Sequence, residues 1–474
     1  MKEYGQNFRR LSTPLRWATP LRWAALLHWV VLLYVLTVVG LSAALDFHIS
    51  WDYLAYHLPS ALSWFHLTTY EPDNLLVDVI AGFPPLSHLT QGLLVFLSGR
   101  FSAANFHNYL SFAALAGLIH LLFRRESVTK WFLTAALSIP LVVTHLTSGM
   151  VDLFSACFVT AAFAAYLKLA LAEKATWRTL FAYPLLAGLA MLTKFQAWPA
   201  LAVITLFWLF ELFKRKEEHR LILATVGILA VSIWPVRNTI KFQNPTFPFP
   251  PPIIDRFVTN APFEIRGEAL KHNTPAYLAD ATPIKRFIES AFELNRLKAD
   301  EPLKWSVDQG VPRHEADPNH RMGGWFFATV MLFSAAIAII LLRNLLPLRP
   351  VLSLITLCII CGSLSQSYEL RYSLFIPLIA SLLIAIGIDS SSWAKYYRSG
   401  ILVSALWVLL TLDVFTPKLE FSEPKEFAPQ EARSFWRRAK KRDKNEVYPI
   451  CGKIPYGIFW SGPEFKSFKI KGCR

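Results

Sequence analysis

Trp23-Ala-Ala-Leu-Leu-His-Trp-Val-Val-Leu-Leu-Tyr-Val-Leu-Thr-Val-Val-Gly-Leu-Ser-Ala-Ala-Leu45 contains no Asp, Glu, Lys or Arg. Wound as a helix, this stretch spans roughly 34 Å, enough for the hydrocarbon core of a bilayer. Uncharged or nearly uncharged runs recur at Ala104–Phe123, Trp131–Val151, Leu153–Leu167, Thr179–Thr193, Phe195–Phe210 and Leu221–Val236. Four more follow at Met322–Leu342, Pro350–Tyr368, Tyr372–Ile388 and Ser399–Leu412. Only 17% of the 474 residues are charged, against about a quarter in a soluble domain. The fold expected is an all-α polytopic membrane protein.

Basic residues set the orientation. Arg9, Arg10, Arg16 and Arg22 precede the first run, and Arg124, Arg125 and Lys130 follow the second. Lys174 with Arg178, then Lys214, Arg215, Lys216 and Arg220, then Arg343 with Arg349, then Lys395 with Arg398, continue the series. All fall on one side of the membrane if the N-terminus is cytoplasmic, as the positive-inside rule requires. This layout has about eleven spans and places the C-terminus outside. It also requires Pro84–Leu97 to lie along or dip into the membrane without crossing. No cleavable signal peptide is expected, since the first apolar run is long and has no small-residue cleavage pattern. A membrane domain over 1–414, with external loops at 46–103 and 237–321, precedes an external tail at 415–474.

The net charge of +15 reads as topology determinants and anionic-lipid contact, with no nucleic-acid partner. Cys157, Cys358 and Cys361 fall inside spans and read as packing residues. Cys451 and Cys473 lie in the tail, where an oxidising compartment would let them pair. Pro312-Arg-His314-Glu315-Ala-Asp317-Pro-Asn-His320 gathers possible metal ligands, but lacks His-Glu-x-x-His spacing and reads as a solvated loop.

The first external loop opens with Asp46-Phe-His-Ile-Ser-Trp-Asp52-Tyr-Leu-Ala-Tyr56-His57-Leu-Pro59. A carboxylate followed one turn later by Tyr and His places several hydrogen-bonding groups on one helix face. Asp52 suits a general base that takes a proton from an attacking hydroxyl; it would equally cap the helix that follows. Lys194, Arg237 and Arg371 all fall near the external boundary, where cations neutralise phosphate. Snorkelling to ordinary head groups explains any one of them equally well.

The series Asp52-x-x-x-Tyr56-His57-x-Pro59, Trp64 and Phe83-Pro84-Pro85-Leu86 resembles the first-loop signature of bacterial GT-C glycosyltransferases. These are relatives of dolichyl-phosphate-mannose–protein mannosyltransferases and aminoarabinose transferases. The likeness continues, in order, through Asp152, Thr193-Lys194, Trp234-Pro-Val-Arg237-Asn238 with Asn244-Pro245, and Glu369-Leu-Arg371-Tyr372 with Pro377. It implies a GT-C-like fold with juxtamembrane helices in the first loop. The implied activity is inverting transfer of a hexosyl or pentosyl group from a polyprenyl-phosphate donor to a glycan, lipid or protein acceptor. The implied setting is the external face of a bacterial inner membrane.

In that reading Asp52, or Asp46 in its place, is the catalytic carboxylate. Asp152 orients the acceptor or binds a metal; whether a divalent metal is needed stays open. Tyr56 and His57 line the sugar pocket, while Lys194, Arg371 and the adjacent Tyr372, with Arg237, hold the donor. The absence of a Gly-rich nucleotide loop fits a lipid-activated donor. A transporter or flippase of lipid-linked glycans would need the same cations and cavity without the chemistry.

Overall fold

The computed structural model describes residues 20–45, 53, 57–67, 81–215, 219–247, 278, 280–292, 325–364, 366–389, 394–412, 447–450 and 469–472. The chain begins with α1 (Pro20–Leu45) and the short α2 (Leu58–Trp64), followed by α3 (Leu86–Ser98). A 3₁₀ turn at Phe101–Asn105 leads into α4 (Phe106–Phe123), then α5 (Glu126–Leu137) and α6 (Pro140–Leu146). Next come α7 (Asp152–Leu171), α8 (Trp177–Met191), α9 (Ala197–Lys214) and α10 (Arg220–Phe242). The second half holds α11 (Pro283–Phe292), α12 (Phe327–Leu342), α13 (Leu348–Gly362), a 3₁₀ turn at Leu370–Ser373, α14 (Phe375–Gly387) and α15 (Ala394–Thr411). In the tail, β1 (Val447–Ile450) and β2 (Lys469–Gly472) pair in parallel, Val447 opposite Lys469.

The protein is an integral membrane protein. Among the described residues six helices are long and apolar enough to cross a bilayer: α1, α4 with its 3₁₀ turn, α7, α9, α10, and α14 with its 3₁₀ turn. The pair α5–α6 makes a seventh if its two limbs form one span. Helix length does not establish the full expected count of eleven, because α12 and α13 are apolar but shorter. The run expected as one helix over Trp131–Val151 is instead bent by 94° between Leu137 and Pro140. Pro140 has no N–H to continue the ladder and its ring crowds the preceding turn, so the chain stops one helix and starts another.

Burial separates centre from periphery. α14 and α7 are enclosed over 94% and 83% of their apolar windows, whereas α10 and α1 are enclosed over 22% and 28%. The two central helices form the core, and the two peripheral ones turn Leu, Ile and Val side chains outward. No water competes for backbone groups in a bilayer, so each span satisfies its own N–H and C=O groups as helix.

The stretch expected to stay at the membrane surface forms α3, too short at 13 residues to cross. Pro85 sits at its N-cap, where a missing amide hydrogen costs nothing. It lies close on α2: a side chain at Gly92 would come within 2.3 Å of the Ala61 carbonyl. Cys157, Cys358 and Cys361 are free thiols.

Candidate active site

Lys194 and Asp152 meet in the interior. Asp152 opens α7, and Lys194 lies in the corner between α8 and α9. Lys194 Nζ donates to Asp152 Oδ1 at 2.7 Å, with side-chain exposures of 10% and 0%. A charge this deep persists only when paired. Asp152 Oδ2 meets no partner among the described residues.

Both ends of this pair are held from elsewhere in the chain. The 147–151 loop that leads to Asp152 is clamped by Asn108 of α4, whose amide donates to the carbonyls of His145 (2.9 Å), Ser148 (3.0 Å) and Met150 (2.6 Å). Asn108 Oδ1 accepts from the amide of Phe154 at 2.8 Å. Gln91 Nε2 of α3 donates to Gly149 O at 2.7 Å. Tyr53 lies so close that a Cβ at Gly149 would meet its ring at 2.3 Å. On the other side, Leu86 N and Ser87 Oγ donate to the carbonyls of Leu192 and Thr193 (2.8 and 3.2 Å). The start of α3 thus fixes the corner that carries Lys194.

Tyr372 joins the group from the segment before α14. Lys194 Nζ stands 4.7 Å from the Tyr372 ring centroid and the Arg371 guanidinium 5.0 Å from the same ring. Arg371 Nη2 donates to Tyr372 Oη at 3.2 Å, and its Nε donates to Glu369 Oε2 at 3.2 Å. Each of the two cations thus carries a carboxylate of its own.

These residues border a cavity of about 580 Å³. Lys194, Tyr372, His57 and His88 form its polar part, and Trp198, Pro199, Ala202 and Leu364 part of its apolar wall. Asp152 and Arg371 do not reach the cavity surface; each sits behind a residue that does. His57 Nδ1 and His88 Nε2 are 2.8 Å apart. Burial, then the neighbouring His88 and Lys194, holds His57 well below the usual imidazole range. Burial, then Lys194, pushes His88 down to about 3.

The structure therefore brings Asp152, Lys194, His57, Arg371 and Tyr372 to one end of the bundle. Arg237 is placed differently. It donates to Ala81 O at 2.7 Å and stacks on Trp234 at 4.5 Å, while Asn238 and Trp234 donate to Gly82 O at 3.0 and 2.9 Å. It pins the strand of chain that enters the cavity wall at Phe83 and Pro84 and does not itself line the cavity. Asp52, Asp46, Tyr56, the 312–320 stretch, Cys451 and Cys473 lie outside the described residues. His88, Gln91 and Asn108 were not singled out by sequence. Each is a lone polar residue in an apolar helix whose partner lies 31 to 58 positions away.

Among the described residues no three His, Cys, Asp or Glu side chains are grouped to hold a metal ion. No family model and no curated protein sequence matches the chain. Solved structures do. ArnT from Cupriavidus metallidurans, bound to undecaprenyl phosphate, superposes with a TM-score of 0.52 at 14% identity, over 95% of this chain and 85% of that one. The apo state of the same protein gives a TM-score of 0.43 at 14% identity, over 94% and 86%. At such identity the first likeness establishes the fold, which is that of the GT-C glycosyltransferases, as the sequence resemblance implied.

Proposed function

We propose that this chain is an inverting glycosyltransferase. It moves a sugar from a polyprenyl-phosphate donor to an envelope glycan, lipid or protein acceptor at the external face of a bacterial inner membrane. The observation that carries this reading is Lys194, an ammonium fixed in the wall of a large cavity whose other walls are substantially apolar. A lipid phosphate needs that combination: a cation for the head and dry surface for the tail. The bound undecaprenyl phosphate of the similarly folded ArnT structure supports it.

In a single displacement, the acceptor hydroxyl attacks the anomeric carbon as its bond to the phosphate oxygen breaks. The hydroxyl proton passes to the Asp52 carboxylate. The donor phosphodiester carries one negative charge, and the released phosphate gains nearly another at neutral pH. A cation already in place beside that phosphate favours the transition state over the ground state. Lys194 is in position to act there. Asp152 holds Lys194 in place from behind, and Arg371 acts through Tyr372. Asp52 is the chain neighbour of Tyr53, whose ring packs on Gly149 three residues before Asp152.

The test is reconstitution in vesicles with a panel of polyprenyl-phosphate sugars and mass spectrometry of the acceptors. Glycoside should form, and Asp52→Asn should lower turnover roughly 10²- to 10⁴-fold while donor binding persists. Movement of the lipid across the membrane without a glycoside would instead establish a flippase. Sidedness is checked separately: a cysteine replacing the exposed Lys174 should be labelled only from the cytoplasmic side.

A further inference from the structure

The cavity has two polar corners of different character. Lys194 supplies a cation to one. His57 and His88 supply the other, and they are paired at 2.8 Å and buried to 2% and 3% exposure. His57 immediately precedes α2, and His88 lies in the first turn of α3. The close crossing of these helices at Gly92, one turn past His88, brings the rings together.

The hydrogen-bond arithmetic of the pair is fixed. A neutral imidazole has one N–H donor and one bare nitrogen acceptor. The bond between His57 Nδ1 and His88 Nε2 uses one donor and one acceptor. The two outer nitrogens therefore always comprise one donor and one acceptor, whichever ring holds the shared proton. Phosphate oxygens only accept at neutral pH, and an isoprenoid tail does neither. A hydroxyl does both. Burial and the nearby ammonium hold both rings neutral, so the corner does not compete with Lys194 for the phosphate.

We propose that His57 and His88 act as one neutral hydrogen-bonding unit that binds a hydroxyl of the donor's sugar, with His88 a specificity-determining residue. This rests on the glycosyl-transfer reading and divides its site into a charged corner for phosphate and a neutral corner for sugar.

The test compares two classes of probe on the full detergent-purified chain: bare undecaprenyl phosphate, and a panel of hexosyl and pentosyl undecaprenyl phosphates. Wild type should bind its preferred glycosylated lipid more tightly than the bare one. His88→Phe keeps a ring and removes both nitrogens. It should lose about five- to tenfold in affinity for the glycosylated lipid, the effect of one hydrogen bond, and bind bare lipid phosphate as before. Unchanged bare-lipid binding also certifies that the variant is folded. His88→Gln, which keeps one donor and one acceptor, should recover part of the loss.

Equal weakening of both probes by His88→Phe and His88→Gln would make the pair a packing element and overturn the proposal. So would no change in either. Wild type binding bare lipid phosphate with no preference for any sugar would remove the sugar corner and leave the phosphate site standing. Wild type binding neither class would remove both.

Discussion

The helix α9 has a buried ion pair near each end, and the two differ in everything but length. Just before its start, Lys194 meets Asp152 at 2.7 Å; near its finish, Glu211 meets Arg349 of α13, also at 2.7 Å. The first pair is 10% and 0% exposed and borders the cavity. In the second, Arg349 remains 40% exposed and no part of the pair lines the cavity. Near that far end Arg215 also donates to the carbonyls of Leu169 and Ala172 that close α7 (2.5 and 2.7 Å), and Asp389 binds Ser127 and Arg398. These contacts fasten helix ends to one another. Distance alone does not separate a functional pair from a fastening one; what separates them is what the cation faces on its open side.

The largest expected effect tests the first pair. Asp152→Ala leaves an ammonium buried without a partner and should cost roughly 3–5 kcal/mol, read as a lowered unfolding temperature in detergent. The double variant Asp152→Asn with Lys194→Met should recover most of that stability, because an apolar replacement no longer needs a counter-charge. Lipid-phosphate binding and transfer should stay lost. Recovery of transfer in the double variant would reduce this pair to another fastener.

Next in size is Asn108→Asp, an isosteric change that replaces the donors facing three carbonyls with a carboxylate. It should destabilise by about 3 kcal/mol, since a buried charged group left unsatisfied costs more than a neutral one. The loss of transfer should accompany a shifted loop, visible as new protease sensitivity near Gly149. Arg349→Gln, at the far end, should cost only about 1 kcal/mol because a half-exposed cation is screened. Its transfer rate should match wild type; a large drop would show the two ends to be coupled.

The smallest effect concerns acid. His88 is held neutral in the folded chain down to about pH 3, near His57, Lys194 and His107; unfolded, it takes up a proton near 6.5. Below 6.5 the unfolded state binds more protons, so this contribution is complete above 6.5 and fades as pH falls towards 3. Unfolding temperature should drop between pH 7 and 4.5, and less steeply in His88→Phe.

Much of this was legible because lipid imposes a strong pattern. An apolar run needs no partner to be recognised, so most helices stand where the runs stood. The exception, the break before Pro140, hid inside an unbroken apolar run whose only mark was the proline. Lys194, Asp152 and Arg371 were legible because a charge among apolar residues is costly and therefore informative. Arg237 carried the same signal, yet its side chain turns to Ala81: position along a helix does not fix the direction of a long side chain. His88 and Asn108 were illegible for the opposite reason. Their meaning lies in partners brought close only by the crossing of helices, and a single His or Asn has no spacing that reveals it.

Asn108 has one more consequence, for the order in which the protein is made. Val151 gives α7 no side-chain cap of its own, and the amide of Phe154 takes its acceptor from Asn108, 46 residues earlier. The first turn of the innermost of the long helices therefore borrows its closure from an element synthesised before it. When Asp152 leaves the ribosome, the acceptor that closes its turn has already emerged on α4. The reverse dependence would have left a bare amide waiting in the bilayer for a segment not yet translated.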